Sequence, residues 1–111
     1  MLWNLDEIYK ALNIKKKIKE NFFFSEISID SRKINKESLF IPINGEKYDG
    51  HKFIDAVARK GVKVCLTEKK KKHLVKNKNI LLIEVNDTLL SLKIIAKYAK
   101  NRIKNLKTIC I

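Results

Sequence analysis

An α/β domain, with a small mixed, partly parallel sheet flanked by helices, is the fold this sequence predicts. Strand-like and helix-like runs alternate along the chain, which is the pattern of helices packed on a sheet. A composition of 45% hydrophobic and 33% charged residues is that of an ordinary folded domain. The 111 residues suffice for one modest core.

The elements follow in order. Asn4 is placed to cap a helix over Leu5 to Leu12, with Asp6 and Glu7 in the first turn where the helix dipole favours negative charge. Leu5, Ile8 and Leu12 share a face of it. From Phe22 to Asp30 the chain alternates as a strand does, with Phe22, Phe24, Glu26, Ser28 and Asp30 on one side and Phe23, Ser25, Ile27 and Ile29 on the other. A second strand is expected over residues 39–43, where Pro42 lacks a backbone donor and argues for an edge, a bulge or a strand end.

After Gly50 a helix is expected with Phe53, Val57 and Ile54 inward and Gly61 as its stop. VKVCLTE and ILLIEV read as the third and fourth strands, separated by a charged stretch from Lys69 to Asn79 that reads as an exposed helix or loop. Asp87 or Thr88 caps the longest helix, with Leu89, Leu92, Ala96, Ala99 and Ile103 at helical spacing. TICI reads as the start of a fifth strand.

No run reaches the roughly 18 apolar residues of a spanning helix. The first residues carry Asp6 and Glu7 where a secretory signal carries positive charge, so a cytoplasmic location is expected. Cys65 and Cys110 sit in apolar runs without CxxC spacing and read as core residues. A net charge of +13 favours an anionic partner, and a small basic nucleic-acid-binding module is one function class it allows. Only Arg32, Arg59 and Arg102 among the 25 basic residues are arginines, however. Lys, Ile and Asn are abundant throughout, which reads as compositional bias.

The densest cluster of candidate functional groups runs from Asp30 to His51. It contains a DSR turn after one strand and a polar loop, GEKYDGH, before a helix; ligands bind open α/β sheets at such strand ends. Gly50 permits close backbone approach, and the amides of the next helical turn suit a phosphate or diphosphate. Arg32 offers a bidentate phosphate donor, Ser31 a hydroxyl and Lys47 a mobile charge. Structural alternatives stand beside each: Arg32 paired with Asp30 or Asp49, Ser31 as a turn hydroxyl, Asp49 as a helix cap, His51 as a surface or first-turn residue. No nucleophile–base pair, metal-ligand cluster or P-loop occurs, so no catalytic or metal residue is assigned.

In order, IDSRKINKESLFIPINGEKYDGHKFIDAVARKGVKVCLTE resembles the first domain of the Mur ligases, whose pattern runs DSR, LF, G-E-x-x-D-G-H-x-F, A and G-A. ILLIEVNDTLLSLKIIAKYAKNR is similar to the strand, D-T pair and long helix that precede the family's ATP loop, and TICI to the strand before it. The resemblance covers residues 4–111, and the GE-x-x-DGH-x-F form is most similar to MurF ligases, with MurE ligases next. It implies a UDP-sugar-binding domain over 1–86, then a linking helix and the first strand of a central ATP-binding domain over 87–111. A T-G-x-x-G-K-T loop is implied beyond Ile111.

By the same resemblance, Ser31, Arg32, Glu46, Lys47, Tyr48, Asp49, Gly50 and His51 are the neighbours of the UDP moiety, with Ser31, Lys47 and His51 foremost. The implied partners are UDP-N-acetylmuramoyl-peptide and the remaining domains of the same chain, not a membrane or nucleic acid. The implied reaction of the complete enzyme adds D-alanyl-D-alanine to UDP-N-acetylmuramoyl-tripeptide through an acyl phosphate. ATP and Mg2+ are required by that enzyme, and no cofactor is expected in these residues. Ser38, Val62 and Asn44 depart from the family's usual residues, at a turn, a packing position and the loop.

Overall fold

The computed structural model describes residues 3–15, 22–45 and 49–109. Its elements are β1 (Trp3–Asn4), α1 (Leu5–Ala11), β2 (Phe23–Phe24), β3 (Glu26–Ser28), β4 (Ser38–Phe40), α2 (Ile54–Arg59), β5 (Val64–Glu68), β6 (Leu81–Val85) and α3 (Thr88–Ile109). Short 3-10 segments cover Ser31–Lys33, Gly50–Phe53 and Lys69–Leu74. A four-stranded sheet runs β3-β4-β5-β6 with every neighbouring pair parallel, and β1 and β2 form a separate antiparallel ribbon.

Alternation along the central strands divides the core in two. Leu39, Ile41, Val64, Leu66, Ile83 and Val85 face one side, where α1, the β1–β2 ribbon and α3 cover them. Phe40 and Cys65 face the other and pack with Ile54, Val57, Val62 and Ile80. Ile34, Ala58 and Val75 join that second cluster from the three successive crossovers. Crossovers of one hand between sequential parallel strands leave their connections on one face of the sheet.

Local chemistry accounts for the ends of the elements. Asn4 and Glu7 form a reciprocal capping box at the start of α1. Asp87 caps α3 through the Leu90 amide. Gly61 ends α2 at φ 98°, a conformation that costs glycine little.

Three expectations are corrected and one choice among alternatives is decided. The Phe22–Asp30 run is two strands broken at Ser25, whose amide donates to the Glu37 carbonyl; Phe24 and Ile27 therefore pack against the same cluster despite their odd spacing. Of the three alternatives for Pro42 the structure shows the strand end: it lies beyond β4, which is an inner strand, so its missing donor interrupts no ladder. Phe53 is partly exposed, while Ile54 and Val57 form the buried side of α2, because the 3-10 turn ahead of the helix rotates its face. Finally, α3 continues through Thr108 and Ile109, where a strand was expected; helical hydrogen bonds are local, and none of the described strands pairs with this segment. Cys110 and Ile111 lie outside the described residues.

The buried stripe of α3 is also rotated from the expected one. Thr88, Ser91 and Ile95 are buried, and Leu92, Tyr98 and Ala99 are partly buried, while Leu89 and Ala96 are exposed. Thr88 is tied to Glu68 through both its amide and its hydroxyl, and this first-turn anchor sets the rotation. Trp3 meets Tyr98 with ring centroids 5.8 Å apart, joining the ribbon to α3.

Candidate functional site at the carboxyl edge of the sheet

The segments that leave the carboxyl ends of β4, β5 and β6 converge on a closed circuit of hydrogen bonds. Asp49 Oδ1 lies 2.8 Å from His51 Nδ1, and His51 Nε2 accepts the Glu68 amide at 3.0 Å. Glu68 Oε1 accepts from Asn44 Nδ2 at 3.3 Å, and Asn44 Oδ1 accepts from Lys71 Nζ at 2.7 Å. Lys71 Nζ also donates to Asp49 Oδ2, which closes the ring.

Each position has a local cause. Asp49 is the cap of the 3-10 turn Gly50–Phe53, its Oδ1 accepting the His51 amide at 2.9 Å. That cap turns the His51 ring into the interior, where its side chain is 0% exposed. Glu68 ends β5 and is 4% exposed, with Oε2 accepting from the Thr88 amide and hydroxyl. The first turn of α3 is a favourable place for a carboxylate.

The electrostatics follow from the bonds. Partial burial works against ionisation of Asp49, but the Lys71 ammonium and then the His51 amide and ring outweigh it and hold the carboxyl at about 2. His51 Nε2 takes the acceptor role toward the Glu68 amide, which leaves Nδ1 to face Asp49.

Gly50 is required by the backbone itself. A Cβ there would lie 2.8 Å from the Ile43 nitrogen and 3.1 Å from the Pro42 Cα. Its amide donates to the Ile43 carbonyl at 3.0 Å, and Asn44 and Asp49 pair as an antiparallel bridge, so the loop closes at a neck. The close approach predicted for Gly50 is therefore to its own chain. The predicted anion cradle is likewise corrected at the His51 amide, which already binds the Asp49 carboxylate.

The DSR turn lies in the crossover from β3 to β4. Asp30 caps it, accepting the Arg32 amide at 2.9 Å and the guanidinium Nε at 3.2 Å. Arg32's side chain stays 86% exposed, and its hydrogen bond to Asp30 holds that carboxyl below its usual range. The Ser31 carbonyl accepts from Lys60 Nζ at 2.7 Å. Both predicted segments thus occupy the loops of neighbouring strands, each held by its own bonds. Glu46, Lys47 and Tyr48 lie outside the described residues.

Residues 24–100 match the profile described as "Mur ligase family, catalytic domain", more than half of the chain. The chain belongs to the Mur ligase family. This Mur ligase chain is 36% identical over 112 residues to the UDP-N-acetylmuramoyl-L-alanyl-D-glutamate--2,6-diaminopimelate ligase of Clostridium botulinum, a match that covers 97% of the chain and 23% of that protein. It is 34% identical over 71 residues to the UDP-N-acetylmuramoyl-tripeptide--D-alanyl-D-alanine ligase of Bacillus subtilis, covering 64% of the chain and 15% of that protein. The chain therefore spans less than a quarter of the length of these relatives. In fold it is similar to MurF from Acinetobacter baumannii, with a TM-score of 0.72 at 20% identity over 92% of the chain and 22% of that protein.

Sequence reasoning missed four members of this cluster: Asn44, Glu68, Lys71 and Thr88. Lys71 was hidden in a run of four identical residues and Glu68 in a strand. A buried carboxylate flanked by a strand end and a helix start has no signature in sequence.

Proposed function

We propose that this chain supplies the UDP-binding part of a MurF-type ligase, which adds D-alanyl-D-alanine to UDP-N-acetylmuramoyl-tripeptide in peptidoglycan synthesis. The observation that carries the reading is the rigid neck at the carboxyl edge of a parallel sheet. Asn44 and Asp49 are bridged there after β4, one strand away from the DSR turn with its exposed Arg32.

In this reading Arg32 and Lys47 contact the diphosphate, and Ser31 and Tyr48 face the uridine. His51 and Asp49 act behind them by fixing the neck. Binding the nucleotide end is remote from the reacting carboxylate, and such binding energy serves to position it. ATP and Mg2+ belong to the complete enzyme, which works in the cytoplasm together with the domains that hold them. No P-loop lies within these residues, so the chain alone binds without ligating.

A MurE-type ligase is the second reading, favoured by the longer match to the diaminopimelate-adding relative. The two readings share the UDP moiety and differ in the amino acid or dipeptide that the complete enzyme adds.

The test is an NMR titration of the chain with UDP-N-acetylmuramoyl-tripeptide, UDP and an unrelated oligonucleotide at moderate salt. Shifts at Ser31, Arg32 and Lys47 to His51 with the two UDP compounds support the reading. Oligonucleotide binding without them overturns it in favour of the basic nucleic-acid module. R32A should weaken UDP by about tenfold, the worth of a charge-assisted hydrogen bond, at unchanged stability.

A further inference from the structure

Among the described residues the Ser31 hydroxyl of the DSR turn makes no hydrogen bond, although Ser31 is half-buried, while its carbonyl accepts from Lys60 Nζ at 2.7 Å. A free hydroxyl thus sits on a backbone that is held from a different element. The other bonds of the turn are local. Asp30 accepts the Arg32 amide and guanidinium, its amide donates to Ser28 Oγ at 3.1 Å, and its carbonyl accepts the Lys33 amide at 3.2 Å. Bonds within residues 28–33 set the internal shape of the turn but not its stance on the sheet. That stance comes from α2: Ile34 seats the end of the turn beside Val57 and Ala58, and Lys60 holds its start.

Lys60 is itself well anchored. It caps the C-terminus of α2, with its amide bonded to the Ala56 and Val57 carbonyls, a place where a cation complements the helix dipole. The next residue, Gly61, abuts the same crossover, since a Cβ there would lie 3.3 Å from the Lys36 Cβ. The base of the lysine is therefore fixed close to the segment that its ammonium binds.

We propose that Lys60 is a positioning residue of the nucleotide site. By holding the Ser31 carbonyl it keeps the Ser31 hydroxyl and the exposed Arg32 guanidinium in the relative placement that a nucleoside diphosphate meets. It touches no ligand. The ligand half of the proposal rests on the UDP-binding reading above; the tie between Lys60 and Ser31 does not.

The experiment compares the parent chain with K60M, which keeps the stem and removes the charge, and with K60R, which keeps a donor. K63M, at an exposed lysine just past the helix, is the control. NMR reads the Ser31 carbonyl carbon, whose shift reports the bond it accepts, and titrations read uridine and UDP. K60M should move that shift upfield and weaken uridine by about threefold to fivefold, and UDP by at least as much, because a charge-assisted bond is worth less where water competes. The urea midpoint should stay as in the parent. K60R should recover most of the loss, and K63M should show none.

An unmoved Ser31 carbonyl in K60M overturns the proposal. So does a loss confined to UDP with uridine binding intact, which makes Lys60 a phosphate contact. Weaker binding that tracks a lowered urea midpoint also overturns it, because the side chain then acts on the whole fold. A parent chain that binds neither uridine nor UDP refutes the functional reading and with it the ligand half, and the carbonyl shift still decides the tie.

Discussion

His51 Nε2 accepts the buried backbone N–H of Glu68 at 3.0 Å, joining the first turn after the loop to the last residue of β5. This bond leaves Nδ1 as the protonated nitrogen, donating to Asp49. Nitrogen NMR of His51 should show a pyrrole-type Nδ1 and a pyridine-type Nε2 near neutral pH. H51A should destabilise the chain by about 2–4 kcal/mol, because it removes a packed ring and orphans the Glu68 amide. Two equivalent ring nitrogens in the spectrum would contradict the assignment.

Acid should loosen the neck in a defined window. The Asp49 carboxyl is held at about 2 in the folded chain, below its ordinary value of 3.8. A depressed folded pKa stabilises above the unfolded pKa, and that contribution is lost as pH falls through the folded one. Urea midpoints should therefore decline between about pH 4 and pH 2, by about 1 kcal/mol once solvent screening is allowed for. D49N should flatten that part of the profile, and an identical decline in D49N would assign it to other carboxyls.

Gly50 should tolerate no side chain. G50A places its Cβ against the Pro42–Ile43 backbone and should cost about 1–3 kcal/mol in urea unfolding, as overpacking does. A loss below about 0.5 kcal/mol would mean that the neck opens readily to admit a methyl group.

Cys65 should resist thiol reagents in the native chain. Burial, with a smaller contribution from the negative charge of Asp55, pushes its thiol up to about 12. In a C110S background, iodoacetamide at mildly alkaline pH should label Cys65 only as fast as the chain unfolds. Rapid labelling in the folded state would show that the α2 side of the sheet opens locally.

The strands at residues 39–43, 64–68 and 81–85 were readable as short apolar runs between helices, while their order in the sheet and the two apolar faces of Leu39, Phe40 and Ile41 came only with the structure. The capping residues Asn4 and Asp87 were readable because their side chains act within a few residues. The rotation of α3 was not, since Glu68 sets it from 20 residues away. In the site, Asp49 was legible as a cap and Arg32 as the partner of Asp30, both local contacts. The inward turn of Lys71 was not legible, because lysines in a run differ only in what the fold brings near them.

Glu68 bonds to three separate segments: its amide holds His51, one carboxylate oxygen holds Asn44, and the other holds Thr88. Mechanically it is a pivot. Removing its carboxylate should therefore release Asn44 at the neck and Thr88 at the start of α3 in a single step, which no other side chain of the circuit would do alone.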